Sequence, residues 1–302
     1  MIYLNKFRLV PQSEEEQFIN SYKLTCFDSF YPFLYFPQQK GLLDIEFEEI
    51  TIFCGSNGSG KSTLLNIIAE KLQLKRETLY NKTSFFDPYI ERCWYELNIH
   101  DKETKREVMR TSRIITSDDV FKNIIEVRRR NENLDFKRGL IFDEKHDISR
   151  YGWQGPRGFN AEDRDSVKAY TDYYKKFKQP TSQYVRSNVG VDERTYSNGE
   201  NGFKYFTDAI QPGGLYILDE PDNSLSAEML LELAQFILSR SRFYNCQFVM
   251  STHSPFILSI PFARIYNMDK APVSTCKWTE LPSVRLYHDF FQDHSDEFDD
   301  ND

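Results

Sequence analysis

The sequence predicts an α/β protein built around a parallel sheet, and three observations carry that expectation. The first is "CGSNGSGKST" (54–63), a glycine-rich loop between an apolar run, "ITIFC", and a stretch in which Leu64, Leu65, Ile67, Ile68 and Leu72 recur at helical spacing. The second is a strand, helix, strand rhythm with short connections between residues 214 and 268, which favours parallel strands. The third is the alternation of apolar and polar residues in "IYLNKFRLV" and "LLDIEFEEI", which reads as strands ahead of the loop.

In order along the chain, those first strands flank an aromatic-rich connection, "CFDSFYPFLYFPQQKG". The strand at 50–54 then enters the glycine loop. Backbone N–H groups and the positive end of the following helix converge there, which suits a phosphate, and Gly55, Gly58 and Gly60 let the backbone come close to it. Gly55, Gly60, Lys61 and Ser62 fit G-x-x-x-x-G-K-[ST], the pattern in which the lysine reaches the β- and γ-phosphates of a nucleotide and the hydroxyl a Mg²⁺. The candidate nucleotide-binding set is therefore Gly55, Ser56, Asn57, Gly58, Ser59, Gly60, Lys61, Ser62 and Thr63, with Ser62 also a metal ligand. The competing reading is a flexible glycine turn that happens to precede a lysine, and the flanking strand and helix argue against it.

Residues 80 to 190 change character, being charged, tyrosine-rich and helical in pieces. "RIIT" (113–116) reads as a strand and 118–131 as a helix that Ser117 or Asp118 caps, while "YGWQGPRGFN" reads as a loop. Regular punctuation returns with "GLYILDE" (214–220), a buried strand ending in two carboxylates, then a helix over 226–244 and strands in "QFVMSTH" and "RIYNM". Ligands of parallel sheets bind beyond the carboxyl ends of the strands. Asp219 emerges there as a candidate Mg²⁺ ligand. Glu220 is the candidate base for an attacking water. His253 in "STHSP" ends the next strand and is the candidate contact to a γ-phosphate, against the plainer alternative of a polar strand terminus.

At 302 residues, 40% hydrophobic and 28% charged, the chain reads as globular, and no apolar run is long enough to span a bilayer. The first residues, "MIYLNKFRLV", lack the long apolar centre of a signal peptide, so the expected compartment is cytoplasmic and no membrane partner is expected. Five scattered cysteines without a CxxC pair read as reduced residues. The net charge of −8 is uneven: residues 293–302 hold six acidic residues, whereas 101–186 hold 20 Lys/Arg against 15 Asp/Glu. The expected organisation is an N-terminal β subdomain with the glycine loop (1–79), a mostly helical insertion (80–194), a core (195–288) and a disordered acidic tail (289–302).

The glycine loop, "YSNGE" (196–200), "LYILDEP" followed by "NSLS", and "STHSP" stand in the order found in ATP-binding-cassette (ABC) ATPases. The chain resembles their stand-alone branch, the AAA-type ATPases related to RecF and to structural-maintenance-of-chromosomes heads. More narrowly it is similar to a small ATPase family frequent in Firmicutes, through "TSDDVF", "SNGE", "DEPDNSLS" and "KWTELPSVRLYHDFF". The resemblance implies a P-loop NTPase fold of the ABC-ATPase type: a mixed sheet flanked by helices, an antiparallel N-terminal β subdomain and a helical insertion. It implies ATP and Mg²⁺ as ligands, hydrolysis with Lys61, Glu220 and His253 as the catalytic set, and an ATP-dependent homodimer. Ser197, Asn198, Gly199 and Glu200 become the signature loop that completes the site of a second copy, and Ser224 to Ser226 the D-loop at the dimer interface. The chain departs from the family in having no clear glutamine loop, for which Ser117-Asp118 is the one candidate. An aromatic ring on adenine is expected from Tyr31, Phe33, Tyr35 or Phe36.

Three targets for such a cycle stay open. Nucleic acid, or a repair or phage-defence effector protein, is favoured by the insertion and by "EVRRRNENLDFKR" (126–138), since a basic stripe with aromatics tracks phosphates; the plainer account of that run is a solvated helix face. A transporter's ATP subunit is disfavoured by the missing glutamine loop. An ATP-gated binding module that rarely turns over is disfavoured by Glu220, a base it would not need.

Overall fold

A computed structural model of the chain describes residues 1–22, 29–151, 162–178, 180–189 and 198–299. They fall into two compact units, Met1–Phe121 with Ser197–Asp302, and Lys122–Tyr196. The first unit opens with β1 (Leu4–Arg8), α1 (Gln12–Ser21), α2 (Phe36–Lys40) and β2 (Asp44–Glu46). It continues with β3 (Ile50–Cys54), α3 (Lys61–Lys71), α4 (Phe86–Arg92), β4 (Trp94–Leu97), α5 (Lys102–Thr111) and β5 (Arg113–Thr116). Helix α6 (Ser117–Tyr151) begins in the first unit and runs into the second, which also holds α7 (Arg164–Phe177) and α8 (Thr181–Asn188). The first unit then resumes with α9 (Asn198–Ala209), β6 (Gly214–Asp219), α10 (Ala227–Phe243), β7 (Cys246–Ser251) and α11 (Pro255–Leu258). It ends with β8 (Arg264–Asn267), β9 (Ser274–Cys276), α12 (Pro282–Asp293) and α13 (Asp296–Asp299).

Two sheets organise the first unit. The larger has the order β5-β6-β7-β3-β8-β9, all parallel except β9, which closes one edge antiparallel to β8. Its central strands β3 and β7 are buried at every residue, as expected where both faces are covered. The smaller sheet, β2-β1-β4, is antiparallel. In β1 the register against β4 shifts between Leu4 and Lys6, so both Leu4 and Phe7 face the core although three positions separate them. Helix α3 buries Leu64, Leu65, Ile67 and Ile68 and packs on α4, β6 and β7, in one core cluster with Leu4, Phe7 and Ile45 of the small sheet. A helix this apolar around its girth belongs inside.

Gln247 stitches the two sheets together. Its side-chain oxygen accepts from the Tyr3 and Leu4 N–H groups at 2.8 and 2.7 Å, and its nitrogen donates to the Leu4 and Glu48 carbonyls at 2.8 and 3.1 Å. It is fully buried with its amide valences filled, the condition under which a buried polar side chain is tolerated.

The structure departs from the sequence expectations in four places. Residues 80–121 belong to the first unit, because Phe85, Phe86, Tyr89 and Ile90 enter its core and β4 pairs with β1. Helix α6 continues to Tyr151, since no proline interrupts it and an Arg138–Asp135 pair at 2.9 Å supports its exposed face. Its start is held by Asp119, whose carboxylate accepts from the Thr116 N–H at 2.8 Å, and neither Ser117 nor Asp118 plays that part. The acidic end is helical as far as Asp299. Cys54, Cys93 and Cys246 are buried free thiols and Cys276 is half-buried and free; Cys26 and most of "YGWQGPRGFN" lie outside the described residues.

Candidate active site

The glycine loop joins β3 to α3. Gly60, the residue ahead of α3, has φ 93°, and a Cβ there would lie 2.6 Å from the Tyr35 ring; Gly58 has φ 81°. No side chain caps α3, so its first N–H groups are left for another acceptor. Lys61 is 4% exposed, and its ammonium donates to the carbonyls of Gly55 (2.7 Å) and Ser56 (3.2 Å), folding back along the loop. From outside, Asp269 grips the loop by accepting from the Ser56 N–H at 2.8 Å and the Ser56 hydroxyl at 2.7 Å. Tyr35 donates to the Gly58 carbonyl at 2.8 Å and Tyr31 to the Thr63 hydroxyl at 2.5 Å.

Beside the loop, on the same side of the sheet, β6 ends in Asp219. Its Oδ1 accepts from the Ser62 hydroxyl at 3.0 Å and from the Ser251 hydroxyl, at the end of β7, at 2.6 Å. Burial raises the Asp219 carboxyl above the ordinary aspartate value; the two hydroxyls pull it down, Glu220 pushes it up, and Lys61 pulls it down. Glu220 adopts a left-handed backbone, φ 51° and ψ 56°, which is costly for a residue with a side chain and recurs at functional sites. Its N–H is held by the Ser251 hydroxyl at 2.9 Å. One carboxylate oxygen lies 4.0 Å from the Lys61 ammonium and the other accepts from Asn223 at 2.9 Å. Ser251 thus orders both carboxylate residues at once.

His253 follows β7, which lies between β6 and β3 in the sheet, so the loop, the carboxylates and the histidine occupy the carboxyl ends of three adjacent strands. The His253 N–H donates to Asp222 at 3.3 Å, while its Nε2 is buried with no hydrogen-bond partner. The Ser59 hydroxyl is a second buried polar atom without a partner in this region. Unfilled polar atoms of this kind call for a ligand or water.

The remaining sequence candidates sort as follows. Ser197 lies outside the described residues, and of Asn198 only the backbone, at the start of α9, is described. Gly199 and Glu200 occupy the first turn of α9, which packs against α10 and the 221–224 turn. Of Ser224 only the backbone is described, and Ser226 caps α10 by accepting from the Met229 N–H at 3.4 Å. Phe33 and Phe36 are core residues, 3% and 0% exposed, which removes them as rings for adenine and leaves Tyr31 and Tyr35. The Ser117-Asp118 start of α6 follows β5, whose Thr116 is paired with Asp219 in the sheet. Ser251, Asp222 and Asp269 were not among the sequence candidates. Ser251 and Asp222 lie within the quoted motifs "STHSP" and "DEPDNSLS", whereas Asp269 left no sequence trace.

A family model described as ABC transporter matches residues 40–223, more than half of the chain and including both the glycine loop and Asp219-Glu220. The chain belongs to the ABC transporter ATPase family. A second model, for an AAA domain of the AbiEii-toxin, type IV toxin–antitoxin kind, matches residues 205–259 of this ABC-family chain. Among solved structures, the head domain of Smc from Pyrococcus furiosus, bound to the C-terminal domain of ScpA, is 13% identical with a TM-score of 0.44, covering 96% of this chain and 100% of that one. A nucleotide-free ATP-binding cassette from an ABC transporter is 14% identical with a TM-score of 0.42, covering 96% of each. The SMC head domain from Thermotoga maritima is 15% identical with a TM-score of 0.35, covering 91% and 99%. No curated protein matches the sequence. Membership thus rests on the family match, and the α/β fold on the two sheets. No helix among the described residues is long and apolar enough to cross a membrane.

Proposed function

We propose that this ABC-family chain binds and hydrolyses Mg-ATP at the carboxyl ends of β3, β6 and β7. The observation that carries the reading is the convergence of Ser62, Asp219 and Ser251 on one carboxylate oxygen, with Lys61 and Glu220 4.0 Å apart beside it. Lys61 exchanges its carbonyl partners for the β- and γ-phosphates, and the uncapped N–H groups of α3 receive the same charge. Ser62 and Asp219 offer the hard oxygen donors that suit Mg²⁺. When bound there, Mg²⁺ spreads the charge of the phosphate oxygens. Glu220 takes the proton of the attacking water, and His253, with its unfilled Nε2, meets the γ-phosphate. Tyr31 or Tyr35 supplies the ring for adenine.

Two copies pair head-to-tail, each offering residues 197–200, which run into the first turn of α9, to the other's glycine loop, because a helix N-terminus with a serine and a glycine in its sequence makes a second anion cradle. The ATP cycle then opens and closes that pair on a partner. Nucleic acid or an effector protein fits the exposed Arg128, Arg129 and Arg130 on α6. The test is Glu220→Gln, which is expected to keep ATP binding, lose about two to four powers of ten in turnover, and accumulate an ATP-dependent dimer seen by light scattering. Wild-type turnover in that variant overturns the assignment of the base, and a monomer in the presence of Mg-ATP overturns the pairing.

A further inference from the structure

The 3-10 turn Pro221–Ser224 touches two of the candidate catalytic residues, Glu220 and His253. Asn223 donates to one carboxylate oxygen of Glu220 at 2.9 Å. Asp222 divides its two oxygens between the next strand's terminal residues: Oδ1 accepts from the Thr252 hydroxyl at 2.8 Å, and Oδ2 from the His253 N–H at 3.3 Å. The Thr252 hydroxyl in turn accepts from the Ser254 N–H at 3.0 Å, so three successive residues hang on one carboxylate. This is where they need it. β7 ends at Ser251, and among the described residues a backbone bond from the Thr252 N–H to the Phe53 carbonyl, at 3.4 Å, ties this segment back to the sheet. The His253 Nε2 has no hydrogen-bond partner, so no bond at that atom fixes the ring.

We propose that Asp222 is a positioning residue that sets the His253 imidazole, as Asn223 sets the Glu220 carboxylate, so that one turn registers both sides of the reaction centre. Its kinetic consequence rests on the ATPase reading above; its geometry does not. The residue type is decided by the donors. The His253 N–H can only donate, whereas the Thr252 hydroxyl can also accept; an asparagine of the same shape keeps its oxygen on the His253 N–H by turning its NH₂ to Thr252, which strands the Thr252 hydroxyl hydrogen and takes the negative charge from both bonds. Asp222→Asn therefore acts as a disruption although it is isosteric.

Two measurements test this on the full chain. With ¹³C-labelled histidine, the five histidines give separate imidazole signals, and the one missing from His253→Ala belongs to His253. Asp222→Asn is expected to move that signal and leave the other four in place. In steady-state kinetics, Asp222→Asn is expected to lower kcat about ten-fold or more, as for a lost charge-assisted hydrogen bond, with KM for ATP changed by less than about two-fold. The same substitution in a His253→Ala background should add nothing further, which a general loss of structure would not reproduce. Thr252→Val should follow Asp222→Asn, and Thr252→Ser should restore the rate. An unmoved His253 signal, or losses that multiply in the double variant, overturns the proposal. If the wild-type protein releases no phosphate, the ATPase reading falls while the labelled-histidine measurement still decides whether Asp222 sets His253.

Discussion

At the end of β6, Asp219 accepts from Ser62 and Ser251 with the Lys61 ammonium near; in the first turn of α1, Glu15 is fully buried with neither carboxylate oxygen hydrogen-bonded. Burial raises both carboxyls above their ordinary values. Glu15 reaches about 7, opposed only by the Leu34 backbone N–H, which lies near without making a full hydrogen bond, and pushed further by Glu16. The difference is one of donors. Two hydroxyls and an ammonium partly offset the withdrawal of Asp219 from water and favour its charged form, whereas Glu15 has only one backbone N–H near it among apolar side chains. Withdrawal from water alone therefore does not mark a functional acid. Donors gathered from remote segments do.

That contrast breaks or sharpens under substitution. The largest effect belongs to Asp219→Asn, which keeps the shape and removes the charge: Mg-dependent turnover should fall by about two to four powers of ten, with the urea midpoint unchanged or higher. Glu15→Gln should do the reverse. Its turnover should stay within about two-fold of wild type, while its stability gain depends on pH. Below about pH 4.5 the wild-type carboxyl is protonated in both folded and unfolded chains and costs nothing; between there and about 7 the unfolded chain ionises first, so wild-type stability falls as pH rises. At pH 8 the substitution should recover up to about 3 kcal/mol, and at pH 4 almost none. Equal gains at both pH values, or a loss of turnover like that of Asp219→Asn, would erase the distinction. The smallest effect concerns the second unit. If the exposed Arg128, Arg129 and Arg130 track phosphates, replacing all three with alanine should flatten the salt dependence of nucleic-acid binding by about two to three in log–log slope without changing basal phosphate release. Absence of salt-dependent binding at low ionic strength returns α6 to a solvated face.

The strands and the helix that carry the site were legible, and with them Lys61, Asp219, Glu220 and His253, because each sits where an apolar element meets polar punctuation. Strands β3, β6 and β7 came from runs of buried residues, and α3 from its helical spacing. What joins them was not. Ser62 and Asp219 are 157 positions apart, and Ser56 and Asp269 are 213 apart, so no local pattern records either contact. Asp222 reads in sequence as one more polar turn residue, and its two acceptors acquire meaning only against Thr252 and His253. β4 escaped because Trp94 and Glu96 face outward on an edge of the small sheet, leaving no apolar alternation strong enough to see. The aromatic segment before the loop illustrates a third kind of gap: Tyr31, Phe33, Tyr35 and Phe36 are equivalent by composition, and only packing separates the core pair from the two tyrosines on the glycine loop.

Release of phosphate from ATP by the purified chain, compared with Lys61→Ala under the same conditions, tests the central claim most directly. Lys61 is the buried cation of the site, and no described neighbour brings a second ammonium or guanidinium to the Gly55 and Ser56 carbonyls. The account predicts Mg-dependent phosphate release by the wild-type protein and release at the background level, with weakened ATP binding, in Lys61→Ala. Equal release by the two proteins would contradict it.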